Sequence, residues 1–205
     1  MFRERLASVI SKRGDMVVCA ETDNVNDAIA LVESLRPQIA IVDITLRGSN
    51  GLDFLKDLKA RDIDLSVLVL SMHDEAIYAE RALRAGARGY ITKCEASSEV
   101  MAAIEQVLNG DIYLSRQMTS RMLGHLAAGK NAASDPSDIS VLTDRELDVF
   151  QRLGRGETGR DIASALHLGI TTIDTYRARI KEKLGLRNGN ELQRRAIEWV
   201  QQNPA

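Results

Sequence analysis

Asp43 ends the apolar run IAIVD, Ser71 ends LVLS, and Lys93 follows GYIT in the same manner. All three runs are β-branched and aliphatic without polar alternation, the pattern of strands buried on both faces of a parallel sheet. Open α/β sheets place their sites at the C-terminal ends of such strands, so a carboxylate, a hydroxyl and an ammonium would meet at one edge. A phosphoryl group on Asp43 would bring negative charge that Lys93 can neutralise and that the Ser71 hydroxyl can hydrogen-bond. Singly, each is an ordinary strand-end polar residue; the set of three makes a site.

A second set lies in GITTIDTYRARIKEKLG. Ile173, Ile180 and Leu184, assisted by Tyr176, share one helical face, while Thr171, Asp174, Thr175 and Ala178 recur at i, i+3, i+4 and i+7 on another. The first face packs and the second is presented. Within 169–187, Arg177, Arg179, Lys181, Lys183 and Arg187 stand against Asp174 and Glu182. This basic cluster is either a solvated helix face or a surface for phosphates. A short helix over 159–166 enters this one through HLGI, the form of a helix-turn-helix or of a plain helical hairpin. On the last helix Leu192, Ala196, Trp199 and Val200 form a stripe for the core or for a two-fold contact between copies.

The elements that must position these residues follow from periodicity. Over 16–114, short β-like runs alternate with amphipathic helical ones: MVVCAE, NDAIALVESL, QIAIVDI, GLDFLKDLKA, LSVLVLS, IYAERALRAG, GYIT and SEVMAAIEQVLNG. That is an α/β pattern with right-handed crossovers between parallel strands. RQMTSRMLGHLAAG reads as a helix, and KNAASDPSDIS, without a periodic apolar face, as a flexible linker. Beyond it every segment is a short helix. Thr143 with Glu146, Thr158 with Asp161, and Asn188 with Glu191 are three capping signals three residues apart, as expected of a compact helical bundle. The expected division is 1–114, an α/β domain; 115–138, a linker helix and flexible linker; and 139–205, a helical domain.

Composition agrees. The 205 residues exceed one usual core. No apolar run approaches the roughly 20 residues of a membrane span, and Arg3, Glu4 and Arg5 interrupt any signal-like start. The reading is a cytoplasmic protein without membrane association. Cys19 and Cys94 form neither a disulfide framework nor a metal cluster and are read as buried structural thiols. Charge is uneven: residues 1–128 hold 15 Lys/Arg against 18 Asp/Glu, and residues 140–205 hold 11 against 9.

IAIVDITLRGSNGLDFL, VLVLSMHDE, RALRAGARGYITK and LTDRELDVFQRLGRGETGRDIASALHLGITTIDTYRARIKEKLGLRN together resemble the two-component response regulators of the NarL/FixJ group, a receiver domain followed by a LuxR-type output domain. The resemblance spans nearly the whole chain, in the family's order. It implies a flavodoxin-like receiver at 1–114 and a four-helix, helix-turn-helix domain at 139–205. It further implies that Asp43 is the phosphoacceptor, that Lys93 contacts the phosphoryl group, that Ser71 and Tyr90 form the switch, and that Mg²⁺ is held by Asp43 and the Thr45 backbone carbonyl. In the output domain it sets Thr171, Asp174, Thr175 and Ala178 against base edges, counts Thr172 among the DNA-binding residues, and leaves Arg177, Arg179 and Lys181 for phosphates. Implied partners are promoter DNA, a sensor histidine kinase, a second copy of the chain and RNA polymerase. The expected function is control of transcription through phosphorylation of Asp43 and dimerisation on DNA.

The chain departs from the family in three places. The family's first strand, central in a 2-1-3-4-5 sheet, and the acidic pair that helps hold Mg²⁺ do not precede the helix MFRERLASVISKRG. The expectation is a natural chain longer by one strand and its loop, with weak or absent Mg²⁺ binding without it, since that ion prefers several hard oxygen ligands. The rival expectation is a phosphorylation-independent transcription factor with a degenerate receiver. Cys94 stands where many relatives have proline. Asp174 stands where many have a basic residue, and a carboxylate accepts from cytosine N4 but repels phosphate. An enzyme reading is the other alternative: haloacid-dehalogenase phosphatases also form an aspartyl-phosphate at a strand end, and they resemble one another in a second Asp two residues after the nucleophile. Here that place is Thr45, and no enzyme is expected.

Overall fold

The computed structural model describes residues 2–46, 49–72, 75–94, 96–127 and 139–202. The chain divides into two compact units, Met1–Ser120 and Arg121–Ala205. The flexible linker expected before 139 lies largely outside the described residues.

The first unit carries α1 (Phe2–Ser11), α2 (Val25–Leu35), β1 (Ile39–Asp43), a short antiparallel ribbon of β2 (Thr45–Leu46) and β3 (Ser49–Asn50), α3 (Gly51–Ala60), β4 (Ser66–Ser71), α4 (Glu75–Ala85), β5 (Gly89–Thr92), α5 (Ala96–Leu108) and the start of α6 (Arg116–Ala127). β1, β4 and β5 form a parallel sheet in the order β1-β4-β5. The pairing of Asp43 with Leu70 and of Ser71 with Thr92 brings the three C-terminal ends to one level. Val67, Leu68, Val69 and Leu70 of the central strand are buried, as their unbroken apolar run requires. α5 packs Val100, Ala103, Ile104 and Val107 against Leu68, Leu70 and Ile91.

Two expectations fail here. MVVCAE forms no strand: residues 16–21 have no regular structure, and Val17 is 83% exposed. A strand persists only where a neighbour completes its ladder, and among the described residues none lies beyond β1, which is an edge of the sheet. Met16 packs against the α5 cluster, and Glu21 pairs with Arg3 at 3.0 Å. The thiols of Cys19 and Cys94 are exposed rather than buried. Cys19 belongs to the segment without a ladder, and Cys94 to the turn after Lys93.

The second unit holds a 3₁₀ turn (Ile139–Val141) and α7 (Asp144–Gly154), α8 (Gly159–Leu166), α9 (Ile170–Lys183) and α10 (Gly189–Gln202). Both threonine capping boxes are complete: the Thr143 hydroxyl accepts from the Glu146 N–H and the Glu146 carboxylate from the Thr143 N–H, and Thr158 and Asp161 do the same. At α10 the Asn188 side chain accepts from the Glu191 N–H at 3.0 Å, but the Glu191 carboxylate takes the Arg187 N–H instead, one residue early. Phe150 and Trp199 meet with ring centroids 6.0 Å apart. At the crossing of α7 and α10 a Cβ on Gly154 would lie 2.3 Å from the Ala196 carbonyl oxygen, so only glycine permits this approach.

The stripe on α10 is consumed by this packing. Leu192, Ala196 and Trp199 are buried in the domain's own core, and Val200 lies over Gly154. The first three therefore offer no surface to a second copy, which corrects their reading as dimer contacts. Among the described residues no helix is long and apolar enough to cross a membrane.

Candidate phosphoacceptor pocket and DNA-reading helix

β1 delivers Asp43 to the sheet edge with its carboxylate partly exposed. Oδ1 accepts from the Thr45 N–H at 3.1 Å, and the Lys93 ammonium donates to Oδ2. Lys93 arrives from the end of β5, and its own N–H donates to the Ser71 carbonyl at 2.7 Å, which ties the ends of β4 and β5 together. Ser71 and Tyr90 are fully buried. The structure thus brings Asp43 and Lys93 into contact and sets Ser71 at the neighbouring strand end, as the spacing predicts. Tyr90 stands on β5 with its ring inside the protein.

The residues present do not by themselves fit Mg²⁺. One carboxylate is already shared between an ammonium and an amide, and the Thr45 carbonyl is the single addition that the resemblance offers. Among the described residues no group of three acidic, histidine or cysteine side chains gathers, whereas Mg²⁺ demands a near-octahedral oxygen shell.

Gly51 is a position beside Asp43 that the spacing did not single out. It opens α3, its N–H donates to the Ile44 carbonyl at 2.8 Å, and a Cβ there would lie 2.1 Å from the Asp43 carbonyl oxygen. Asn50, buried, caps the helix through the Leu52 N–H at 2.9 Å. Helix α3 therefore abuts the backbone of Asp43, and glycine makes that approach possible. The local signal was Asn-Gly directly before an amphipathic run.

In the second unit, His167 with φ 53° and the Leu168 N–H bonded to the Ala163 carbonyl at 2.9 Å turn the chain from α8 into α9. Ile173 and Ile180 face the core, as does Leu184 at the helix end. Thr171, Asp174, Thr175, Ala178 and Arg179 are exposed, and Thr172, Arg177 and Lys181 half-exposed. The two faces expected of this helix are present. The Thr175 hydroxyl donates to the Thr171 carbonyl at 2.9 Å and keeps its acceptor lone pairs. Arg177 pairs with Asp174 at 3.7 Å, and its guanidinium lies within 4 Å of where a Cβ would stand on Gly159 or Gly189.

One member of the basic cluster, Lys183, is engaged by a buried carboxylate. Lys183 donates to the Glu146 carboxylate at 2.6 Å and to the Val141 carbonyl at 3.4 Å. Burial pushes the Glu146 carboxyl up, but the hydrogen bonds from Lys183 and Thr143 and the ammonium charge outweigh it and hold the group below its ordinary value. Lys183 thereby ties the last turn of α9 to the first turn of α7. Arg152 likewise bridges Asp148 at 3.2 Å and Glu157 at 3.0 Å.

Comparison with known proteins agrees with this geometry. Residues 1–105 match the response regulator receiver domain, and residues 140–196 the bacterial regulatory proteins of the luxR family. The transcription regulator BvgA of Bordetella pertussis is 34% identical over 86% of this chain and 82% of its own length. The DNA-binding transcriptional activator EvgA of Escherichia coli is 30% identical over 84% of this chain and 81% of its own. A LuxR-family two-component response regulator from Aurantimonas, solved by crystallography, superposes with a TM-score of 0.56 at 29% identity, covering 61% of this chain and 89% of that one. This chain belongs to the response regulators that join a receiver domain to a LuxR-family helix-turn-helix domain.

Proposed function

We propose that the chain is a DNA-binding regulator of transcription whose receiver takes a phosphoryl group on Asp43. The observation that carries this reading is the Asp43–Lys93 contact at the mouth of the sheet, with Ser71 at the adjoining strand end. A carboxylate oxygen of Asp43 attacks the phosphorus of the donor, the bond from phosphorus to the donor's leaving group breaks, and an acyl phosphate forms. Lys93 then moves its charge from the carboxylate to the phosphoryl oxygens, and the Ser71 hydroxyl donates to one of them. A sensor histidine kinase is the donor that this chemistry suits. The receiver and helix-turn-helix assignments are those of transcription regulators, and the regulatory output is DNA occupancy.

At the other end, α9 enters the major groove. Thr171, Thr172, Asp174, Thr175 and Ala178 approach base edges, while Arg177, Arg179 and Lys181 approach phosphates. Pairing of two output domains on adjacent half-sites, with RNA polymerase as a further partner, uses surface other than the buried α10 stripe. The cellular site that suits these partners is the cytoplasm.

The test is incubation with acetyl phosphate followed by DNA titration, with Asp43→Asn as control. An acid-stable, base-labile phosphoryl adduct absent from the control, together with a shifted DNA affinity, supports the reading. A second reading, DNA binding independent of phosphorylation, is favoured by one observation: the lone carboxylate is already neutralised by Lys93 without a metal shell. Equal affinities before and after treatment would select it.

A further inference from the structure

Thr171, Asp174, Thr175 and Ala178 are all exposed on the presented face of α9, and what they offer a base edge is one-sided. The Thr175 hydroxyl gives its proton to the Thr171 carbonyl at 2.9 Å, so it turns only lone pairs and a methyl outward. Ala178 has no polar side-chain group. Asp174 is the one charged residue of the four, and a carboxylate accepts without donating. Arg177, three residues on, does not cover it. Its Nη1 stands 3.7 Å from the Asp174 Oδ1, beyond hydrogen-bond length, and the guanidinium lies beside Gly159 and Gly189, the first residues of α8 and α10. The Asp174 side chain remains 63% exposed. The middle of this face is therefore an acceptor that calls for a donor.

In the major groove only two bases present a donor, cytosine through its N4 amino group and adenine through its N6 amino group. Guanine shows O6 and N7 and thymine shows O4, acceptors that repel a carboxylate. Adenine carries its N7 acceptor beside N6, so a carboxylate there gains one hydrogen bond and meets one opposing lone pair. Cytosine has only a C–H beside N4. We propose that Asp174 is a specificity-determining residue that selects cytosine at the base pair it faces. One carboxylate oxygen accepts from N4, and the three other bases lose that bond or set an acceptor against the charge. The wrong base then leaves a desolvated carboxylate without its donor, so the discrimination comes from rejection as much as from recognition. This selection rests on the reading of α9 as the helix that enters the groove, and it adds the base that the helix chooses.

The test uses the full chain treated with acetyl phosphate. Selection from random duplexes gives the preferred site, and each cytosine of that site is replaced in turn by 2-pyrimidinone, which lacks the N4 amino group. Fluorescence anisotropy at fixed salt then reads the affinity of the wild type and of Asp174→Asn. The wild type is expected to lose roughly tenfold at one cytosine. Asp174→Asn should not respond to the analogue at that position, and selection with this variant should bring adenine there, since an amide pairs with adenine N6 and N7. Both proteins meet the same duplexes, so the weaker base pairing of the analogue cancels between them. A carboxylate that only balances Arg177 would leave the selected base unchanged in Asp174→Asn. That result, or equal wild-type affinity for cytosine and the analogue at every position, overturns the selection and leaves α9 standing as the helix that contacts DNA. Binding without any sequence preference, or no binding, overturns the reading of α9 and the selection with it.

Discussion

Gly51→Ala is the sharpest perturbation that the receiver offers. The added methyl would stand 2.1 Å from the Asp43 carbonyl oxygen, 2.9 Å from the Asp43 carbonyl carbon and 2.9 Å from a Val42 methyl. A carbon–oxygen contact relaxes near 3.2 Å, so α3 and β1 must part by about 1 Å in a close-packed interior. Neither yields easily: the Gly51 N–H is bonded to Ile44, Leu52 is fully buried, and β1 is held in register with β4. Overpacking of this kind costs about 1–3 kcal/mol. For a unit of this size that is a fall in melting temperature of roughly 4–12 °C. The strain also falls on the residue that carries the carboxylate, and a displacement of that order can slow a positioned reaction about 100-fold. Thermal unfolding followed by circular dichroism reads the first effect, and the rate of phosphoryl capture from acetyl phosphate relative to wild type reads the second. Gly14→Ala, where no atom lies within 4 Å of the new methyl, is the control. A Gly51→Ala protein that melts with the wild type would refute the close approach of α3 to Asp43.

Three further outcomes are expected. Lys183→Ala should destabilise the helical unit by about 1–3 kcal/mol, because it leaves the buried Glu146 carboxylate short of a partner. Glu146 titrates below its ordinary value of 4.5 in the folded state, so its contribution is present above the unfolded value and lost as pH falls through the folded one; melting curves from pH 7 to 3 should fall more steeply for the wild type than for Lys183→Ala. Arg179→Ala should weaken binding to every DNA sequence and reduce the salt slope by about 1, whereas Thr175→Val should cost roughly 1–3 kcal/mol on the preferred site alone. Titrations over a salt series measure both, and equal Thr175→Val losses on preferred and random DNA would remove Thr175 from the base-reading set. Residues 138–205 alone should bind DNA, since the unit has its own caps and core; a fragment that is folded by circular dichroism yet silent in fluorescence anisotropy would refute this.

Much of the molecule was legible locally. The runs ending at Asp43, Ser71 and Thr92 are apolar enough to be central strands wherever they pair, and a parallel sheet necessarily brings their ends together. Thr143 with Glu146 and Thr158 with Asp161 close their boxes within one turn, so four residues of sequence suffice to place each helix start. The two faces of α9 follow from 3.6-residue periodicity. What the sequence could not decide depends on partners remote along the chain. MVVCAE has strand composition, but among the described residues no strand borders β1 on its open side, and a ladder needs a partner strand. Leu192, Ala196 and Trp199 make an apolar stripe whether it faces a second copy or α7, and only the approach of Gly154 to Ala196 shows which. Lys183 is one cation among five until Glu146, 37 residues away, is seen to bind it. The Gly51–Asp43 contact is likewise invisible in either local stretch. Periodicity and capping are properties of neighbours in sequence, whereas burial, ion pairing and close backbone approach are properties of neighbours in space.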